Sequence, residues 1–343
     1  MSMKVIKPGM LSSFQDGGRW GYQSLGVSVC GAMDLLSHQL ANVIVGNTED
    51  LATLEITLMG PTLTFTESCC VCLAGADMQA KLNGKPISRY RPIIISAGDT
   101  LTLPQAKEGT RAYLAAYGGF AVPRLLDSQS TYLRSGFGGW HGRGLKAGDE
   151  IALNVSLPTC ANDLKALSET LWDKRIYLPS ALGIWASRKS VVRWVRSEDW
   201  ADLTPESQAA MYKTAWRVAN DADRMGFRLD GPKLTLQTQK ERLSEPTTFG
   251  TMQLPASGQP IVLMADRQTT GGYPKLGCIT SVDLPILAQK KPGDHVHFMA
   301  IDLTQASALD TARQEALKEL TIQLTSMRHC IADAATPTTL QED

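Results

Sequence analysis

The sequence predicts a mainly β protein made of two β-rich halves with few helices, and three observations carry this. Short runs rich in β-branched residues, such as Leu54-Glu55-Ile56-Thr57-Leu58, Ile93-Ile94-Ile95-Ser96 and Leu234-Thr235-Leu236, are punctuated by Gly, Pro and Asn, as in barrels and sandwiches. Three segments share a Gly-Asp turn feeding an alternating strand: Ala97–Leu103, Ala147–Leu153 and Pro292–Phe298. Regular strand–helix alternation is missing, which disfavours doubly wound and TIM arrangements.

The helices follow in order. Asp34 as cap, an apolar stripe of Met33, Leu36, Leu40, Val43 and Ile44, and Gly46 as stop predict a helix to Val45. A polar helix and the Pro158–Leu171 connector divide the halves near residue 160, giving domains 1–160 and 161–330. Thr204-Pro205 starts a short helix, a cap followed by a first-turn proline. After Thr304, the residues Leu309, Ala312, Ala316, Leu320 and Leu324 mark a carboxy-terminal amphipathic helix, and the tail 331–343 is expected to fray.

The 343 residues suit roughly two domains at about 150 residues each. Thirty-four basic and thirty-four acidic residues cancel with no Lys/Arg run, which argues against nucleic-acid or membrane-surface partners. No apolar stretch approaches the ~20 residues of a membrane span, and the amino terminus lacks a signal-peptide core, so a cytoplasmic protein is expected. Seven cysteines without CxxC spacing indicate free thiols; Cys69, Cys70 and Cys72 read as buried small hydrophobes on a strand. His295 and His297 share a strand face without a third ligand, and no metal-ligand set is assigned.

Chemistry concentrates in glycine-rich polar stretches. Residues 266–274, Asp-Arg-Gln-Thr-Thr-Gly-Gly-Tyr-Pro, hold no aliphatic side chain and directly follow the apolar run Ile261–Met264. Packing alone does not select an acid, a base, a carboxamide, hydroxyls and a phenol together, so the run reads as a ligand site on a loop. Gln15–Tyr22 offers paired glycines and the planar fork of Arg19. Ser128–Arg134 precedes five glycines among residues 136–144, a nest for an anion or a mobile hairpin. Asn220–Arg228 places Asp223 and Arg224 ahead of a strand, where acids and arginines can also neutralise one another at the surface. Gln253 stands before a proline turn. Neither standard nucleotide-cradle pattern occurs in the glycine-rich loop, and no GxSxG elbow supports Ser-His-Asp catalysis.

Taken together and in order, Gln15-Asp16-Gly17-Gly18-Arg19-Trp20-Gly21, Gly31-Ala32-Met33-Asp34, Leu54-Glu55-Ile56-Thr57, Ser130-Thr131-Tyr132, Asp223-Arg224-Met225-Gly226 and Gln259-Pro260-Ile261 running into Asp266–Pro274 resemble the family of 5-oxoprolinase C-type subunits. The same family is called allophanate hydrolase subunit 2 or biotin-dependent carboxyltransferase-like. The resemblance covers about residues 3–300 and implies two cyclophilin-like β-barrel subdomains, partners of the B and A types of 5-oxoprolinase subunits, and ATP-driven opening of 5-oxoproline to glutamate.

The resemblance further implies ATP and Mg²⁺ shared with a partner. Arg19 and Arg267 are expected to meet phosphate or the substrate carboxylate, and Asp16 and Asp266 to serve metal or orientation. Gln253, Gln268, Thr269, Thr270 and Tyr273 are expected around the small ligand, with Ser130, Thr131 and Arg224 also contacting substrate. Two alternatives stand beside this. One is a regulatory binder of a kinase inhibitor that is itself like the B-type partner. The other is a urea- or allophanate-type carboxyltransferase component, although the chain has no Ala/Val-Met-Lys-Met biotinylation tetrapeptide. The sequence departs from the family at Leu178–Ala181, at Asp127, at Asp223 and at Ser244-Glu245-Pro246, so another lactam, carboxamide or urea-like substrate stays open.

Overall fold

Antiparallel ladders dominate the computed structural model, which describes residues 2–158, 160–184, 186–238 and 242–337. The chain visits two units in turn. The first comprises Met1–Gly18, Asp34–Ile184 and Glu315–Asp343; the second comprises Arg19–Met33 and Trp185–Gln314.

In the first unit a six-stranded and a five-stranded sheet share one core. Met3 and Val5 of the strand Ser2–Lys7 and Leu63 and Phe65 of Thr62–Phe65 come from one sheet. Phe14 of Leu11–Gln15, Leu54 and Ile56 of Thr53–Thr57, and Leu114 of Glu108–Ala116 come from the other. Cys69, Cys70 and Cys72 are buried on the strand Cys69–Asp77, as their small apolar character led one to expect, and burial pushes the Cys70 thiol up to about 12.

Helix α1, Leu35–Val45, lies in this unit with the expected caps. Asp34 accepts from Ser37 N at 3.0 Å, and Gly46 adopts φ 99° as left-handed stop. Beneath it lies a buried polar layer that the sequence did not announce. Tyr113 donates to Glu55 at 2.8 Å and accepts from Asp34 N at 2.7 Å, while His38 Nδ1 stands 2.8 Å from Thr53 Oγ1.

Burial lowers the His38 pKa to about 4, with Asp16, Glu55 and Asp50 opposing. The imidazole is therefore neutral when folded and charges more readily when unfolded. Its contribution to stability is complete above the unfolded value near 6.5 and fades as pH falls toward 4. Wild type is expected to lose about 2–3 kcal/mol more than His38→Gln between pH 7 and about pH 4.5 in urea unfolding. Equal losses would contradict this assignment.

The second unit contains a closed barrel. Its strands run in the order Val191–Arg196, Lys275–Ile279, Thr251–Gln253, Ile261–Leu263, Gly226–Asp230, Trp216–Val218 and His295–Ala300. The barrel closes where Val191–Arg196 pairs parallel with His295–Ala300, Val192 opposite Phe298. Trp194 and Trp200 pack edge-to-face at 5.2 Å in its core with Trp216, so these indoles serve packing.

Among the described residues helices are few, as expected. Helix α2 is Ala161–Asp173, and α3 is Pro205–Lys213 with Thr204 as cap. The short α4 is Leu284–Ala288. Helix α5, Leu303–Gln323, buries Ala316, Leu317 and Leu320 but leaves Ala312 exposed, so only its later part behaves as an amphipathic face. Residues beyond Cys330 do not simply fray. Helix α6, Thr325–Ala334, continues the chain, and Thr336–Pro337 pairs with Val155–Ser156. The remaining tail, 338–343, lies outside the described residues. No described helix is long and apolar enough to cross a membrane.

Candidate functional site

The polar turn is built where the strand Ile261–Leu263 runs out of apolar side chains. Asp266 N donates to Arg224 O at 2.8 Å and Met264 N to Met225 O at 2.9 Å, so the turn is sewn to the chain leading into Gly226–Asp230. Side chains repeat that link. Arg224 Nε and Nη2 donate to the two oxygens of Asp266 at 2.9 and 2.8 Å, a bidentate pair whose side chains are 7% and 5% exposed. Arg224 is thus no surface neutraliser. That description fits Arg228 and Asp221, an exposed pair at 2.8 Å.

The segment Arg19–Met33, part of this unit, packs on the same turn. Arg224 Nη2 donates to Gly31 O at 2.7 Å and Ser28 Oγ to Arg267 O at 2.8 Å. Arg19 is fully buried, its amide donating to Val29 O at 2.7 Å. Cys30 adopts φ 59°, unusual for a side-chain-bearing residue, and its thiol donates to Ser28 O at 3.6 Å; burial first, then the negative charge of Asp266, raises its pKa. Neither Ser28 nor Cys30 was singled out from sequence, where only the adjoining Gly31 motif hinted at a special backbone.

Arg267 differs from Arg224 in a way that matters. It is 4% exposed, yet among the described residues no carboxylate pairs with it. Its Nη1 makes only long contacts, 3.5 and 3.4 Å, to Met264 O and Ala265 O, and its guanidinium stands 5.8 Å from the Phe249 ring centre. Burial lowers its pKa, as desolvation of a cation must. Cys278, half-buried beside it, bonds Thr248 at 3.7 Å and has its pKa raised by burial, which marks an inert thiol.

Gln268, Thr269 and Thr270 lead from Arg267 into a two-pair ribbon, Thr270–Gly271 against Glu245–Pro246. Gln268 Nε2 donates to Gln253 Oε1 at 3.3 Å, and Thr247 fastens the ribbon through Thr269 O and Gln268 O. Tyr273, half exposed, lines a cleft of about 450 Å³ with Arg242, Glu245, Gly271 and Lys275. The proline that stands at 246 offers no amide, and Glu245 instead holds Lys275 at 2.8 Å. At Asp223, the carboxylate accepts from Met225 N at 2.8 Å, a turn that a carboxamide oxygen would make equally well.

Asp16, Ser130 and Thr131 belong to the first unit and form a closed node. Asp16 Oδ1 accepts from Gly18 N, Ser128 Oγ and Ser130 Oγ, and Oδ2 from Gln129 N at 2.6 Å. Thr131 N and Oγ1 both donate to Phe14 O. Asp16 therefore pins the loop Ser128–Thr131. Asp16→Ala would leave several buried donors without their acceptor and is expected to cost about 2–4 kcal/mol in chemical denaturation. A loss under 1 kcal/mol, below even one such donor, would contradict that role.

The acids do not fit the expected Mg²⁺ role. Asp16 carries four protein donors and Asp266 the guanidinium of Arg224, and no cluster of three or more metal-ligating side chains occurs among the described residues.

Comparison with known proteins places this architecture. The carboxyltransferase domain family, subdomains A and B, matches residues 25–300. The C-type subunit of 5-oxoprolinase from Escherichia coli K12 is 35% identical over 322 residues, covering 94% of this chain and 98% of that protein. Its Haemophilus influenzae counterpart is 38% identical over 299 residues, covering 87% and 91%. The solved urea carboxylase of Kluyveromyces lactis superposes with a TM-score of 0.82 at 27% identity, over 93% of this chain and 29% of that one, consistent with the cyclophilin-like fold expected. On the strength of these matches the chain belongs to the family of 5-oxoprolinase C-type subunits, within the carboxyltransferase domain fold.

Proposed function

We propose that this chain is the acid-binding component of an ATP-dependent 5-oxoprolinase that opens the lactam of 5-oxoproline to glutamate only when assembled with partners of the B and A types. The observation that carries this reading is Arg267, a buried guanidinium with no carboxylate of its own among the described residues. A buried cation is costly unless an anion joins it, and a planar fork suits a carboxylate in two-point contact. 5-Oxoproline brings one carboxylate, ionised at neutral pH, and one amide. The Phe249 ring beside the guanidinium excludes water and strengthens the pairing.

Asp266 and Arg224 act here as positioning residues that hold the turn carrying Arg267. Gln268, Thr269, Thr270 and Tyr273 form the rest of the ligand's surroundings. Nucleotide and Mg²⁺ fall to a partner, because the acids of this chain are already engaged. Support for the assembly comes from the two relatives whose names identify them as subunits.

A second reading, a carboxyltransferase component acting on urea with a separate biotin carrier, is favoured by the carboxyltransferase domain match and by similarity to urea carboxylase. Phosphate release from ATP separates the two. The proposal expects release that requires this chain, both partners and 5-oxoproline together. Release that ignores 5-oxoproline, combined with urea carboxylation when a biotinylated carrier is added, would replace it with the second reading.

A further inference from the structure

We propose, building on the 5-oxoprolinase reading, that the side-chain amide of Gln253 receives the amide carbonyl oxygen of the ligand and so selects lactams and carboxamides over acids that lack one. Gln253 closes the strand Thr251–Gln253 and is 1% exposed. Its Oε1 accepts from Gln268 Nε2 at 3.3 Å, which fixes the orientation of the amide. Its Nε2 finds no acceptor among the described residues. A buried donor left in that state costs roughly 1–3 kcal/mol, and a ligand carbonyl would relieve the cost at the moment of binding. Arg267 cannot supply this discrimination, because a guanidinium reads only the acid shared by 5-oxoproline and proline.

The donor lies against Gly271. A Cβ built on that glycine would stand 2.5 Å from Gln253 Nε2, so a side chain at 271 would take the donor's space. Gly271 also lines the cleft of about 450 Å³, whose volume accommodates a five-membered lactam bearing a carboxylate. The cations of that cleft are already matched, Lys275 with Glu245 at 2.8 Å and Arg242 with Asp202 at 2.6 Å and Asp199 at 3.3 Å, and exposed Glu198 adds a further carboxylate to its lining. The cleft thus offers entry, and the unmatched amide behind Gly271 supplies selectivity. The ribbon carrying Gly271 is held by two residue pairs, Glu245 with Gly271 and Pro246 with Thr270, and by the Thr247 bonds to Thr269 O and Gln268 O, so shifting it to uncover Gln253 breaks only a handful of hydrogen bonds.

The test uses the full chain labelled with ¹⁵N, with the Gln253 side-chain NH₂ signal identified by its loss in Gln253→Glu. L-5-Oxoproline is expected to move that signal, and L-proline, which has the acid but no lactam carbonyl, to leave it in place. In the assembled enzyme Gln253→Leu and Gly271→Ala are each expected to raise KM for 5-oxoproline roughly 10- to 100-fold. A signal that ignores 5-oxoproline, or that moves equally with proline, overturns the inference even if the wild-type complex turns over the lactam. A signal that moves with 5-oxoproline but not proline, in a complex showing no lactam-dependent turnover, sustains the inference and removes the 5-oxoprolinase reading instead.

Discussion

Asp266→Ala is expected to lower the stability of the protein by about 3–5 kcal/mol, the scale on which truncating one partner of a buried ion pair acts. The carboxylate accepts both guanidinium bonds of Arg224. Removing it takes the counter-charge from a cation that is 6% exposed and leaves a neutral carbonyl, Gly31 O at 2.7 Å, among its acceptors. Because a typical domain is stable by only 5–15 kcal/mol, the effect should appear as a large fall in melting temperature. The double variant Arg224→Met/Asp266→Leu removes both charges and should recover most of the loss, since a buried pair exchanged for apolar groups is often neutral. A single variant that unfolds at the wild-type temperature would show that the pair does not hold the turn.

The same contact explains which parts of the molecule could be read in advance. Helix α1 was legible because Asp34, the apolar stripe and Gly46 lie within a dozen or so neighbouring positions, and each acts through local backbone geometry. The 266–274 turn was legible as a run of side chains that packing does not choose. Local patterns do not report partners far along the chain. The family resemblance implied a metal or orienting role for Asp16, yet Ser128 and Ser130, more than a hundred residues away, complete its shell. Arg224 and Asp266 are 42 residues apart, and only the fold reveals that their charges meet while Arg267, one residue on, is left without a carboxylate among the described residues. Membership of residues 19–33 in the second unit depends equally on long-range bonds such as Ser28 to Arg267. The mainly β character itself was visible because β-branched runs and the turn residues between them are written locally.

The proposed ligand binding rests on Arg267, and Arg267→Met decides whether that guanidinium serves the ligand or the scaffold. Methionine keeps much of the volume and removes a charge that pairs with no carboxylate among the described residues, so the variant should melt at or above the wild-type temperature. In the assembled enzyme this intact variant is expected to have its KM for 5-oxoproline raised by roughly 100-fold or more, the loss of a charge-assisted two-point contact. Two results would contradict the assignment. An Arg267→Met complex with wild-type KM and rate would remove Arg267 from ligand binding, and a variant destabilised as strongly as Asp266→Ala would make it part of the scaffold.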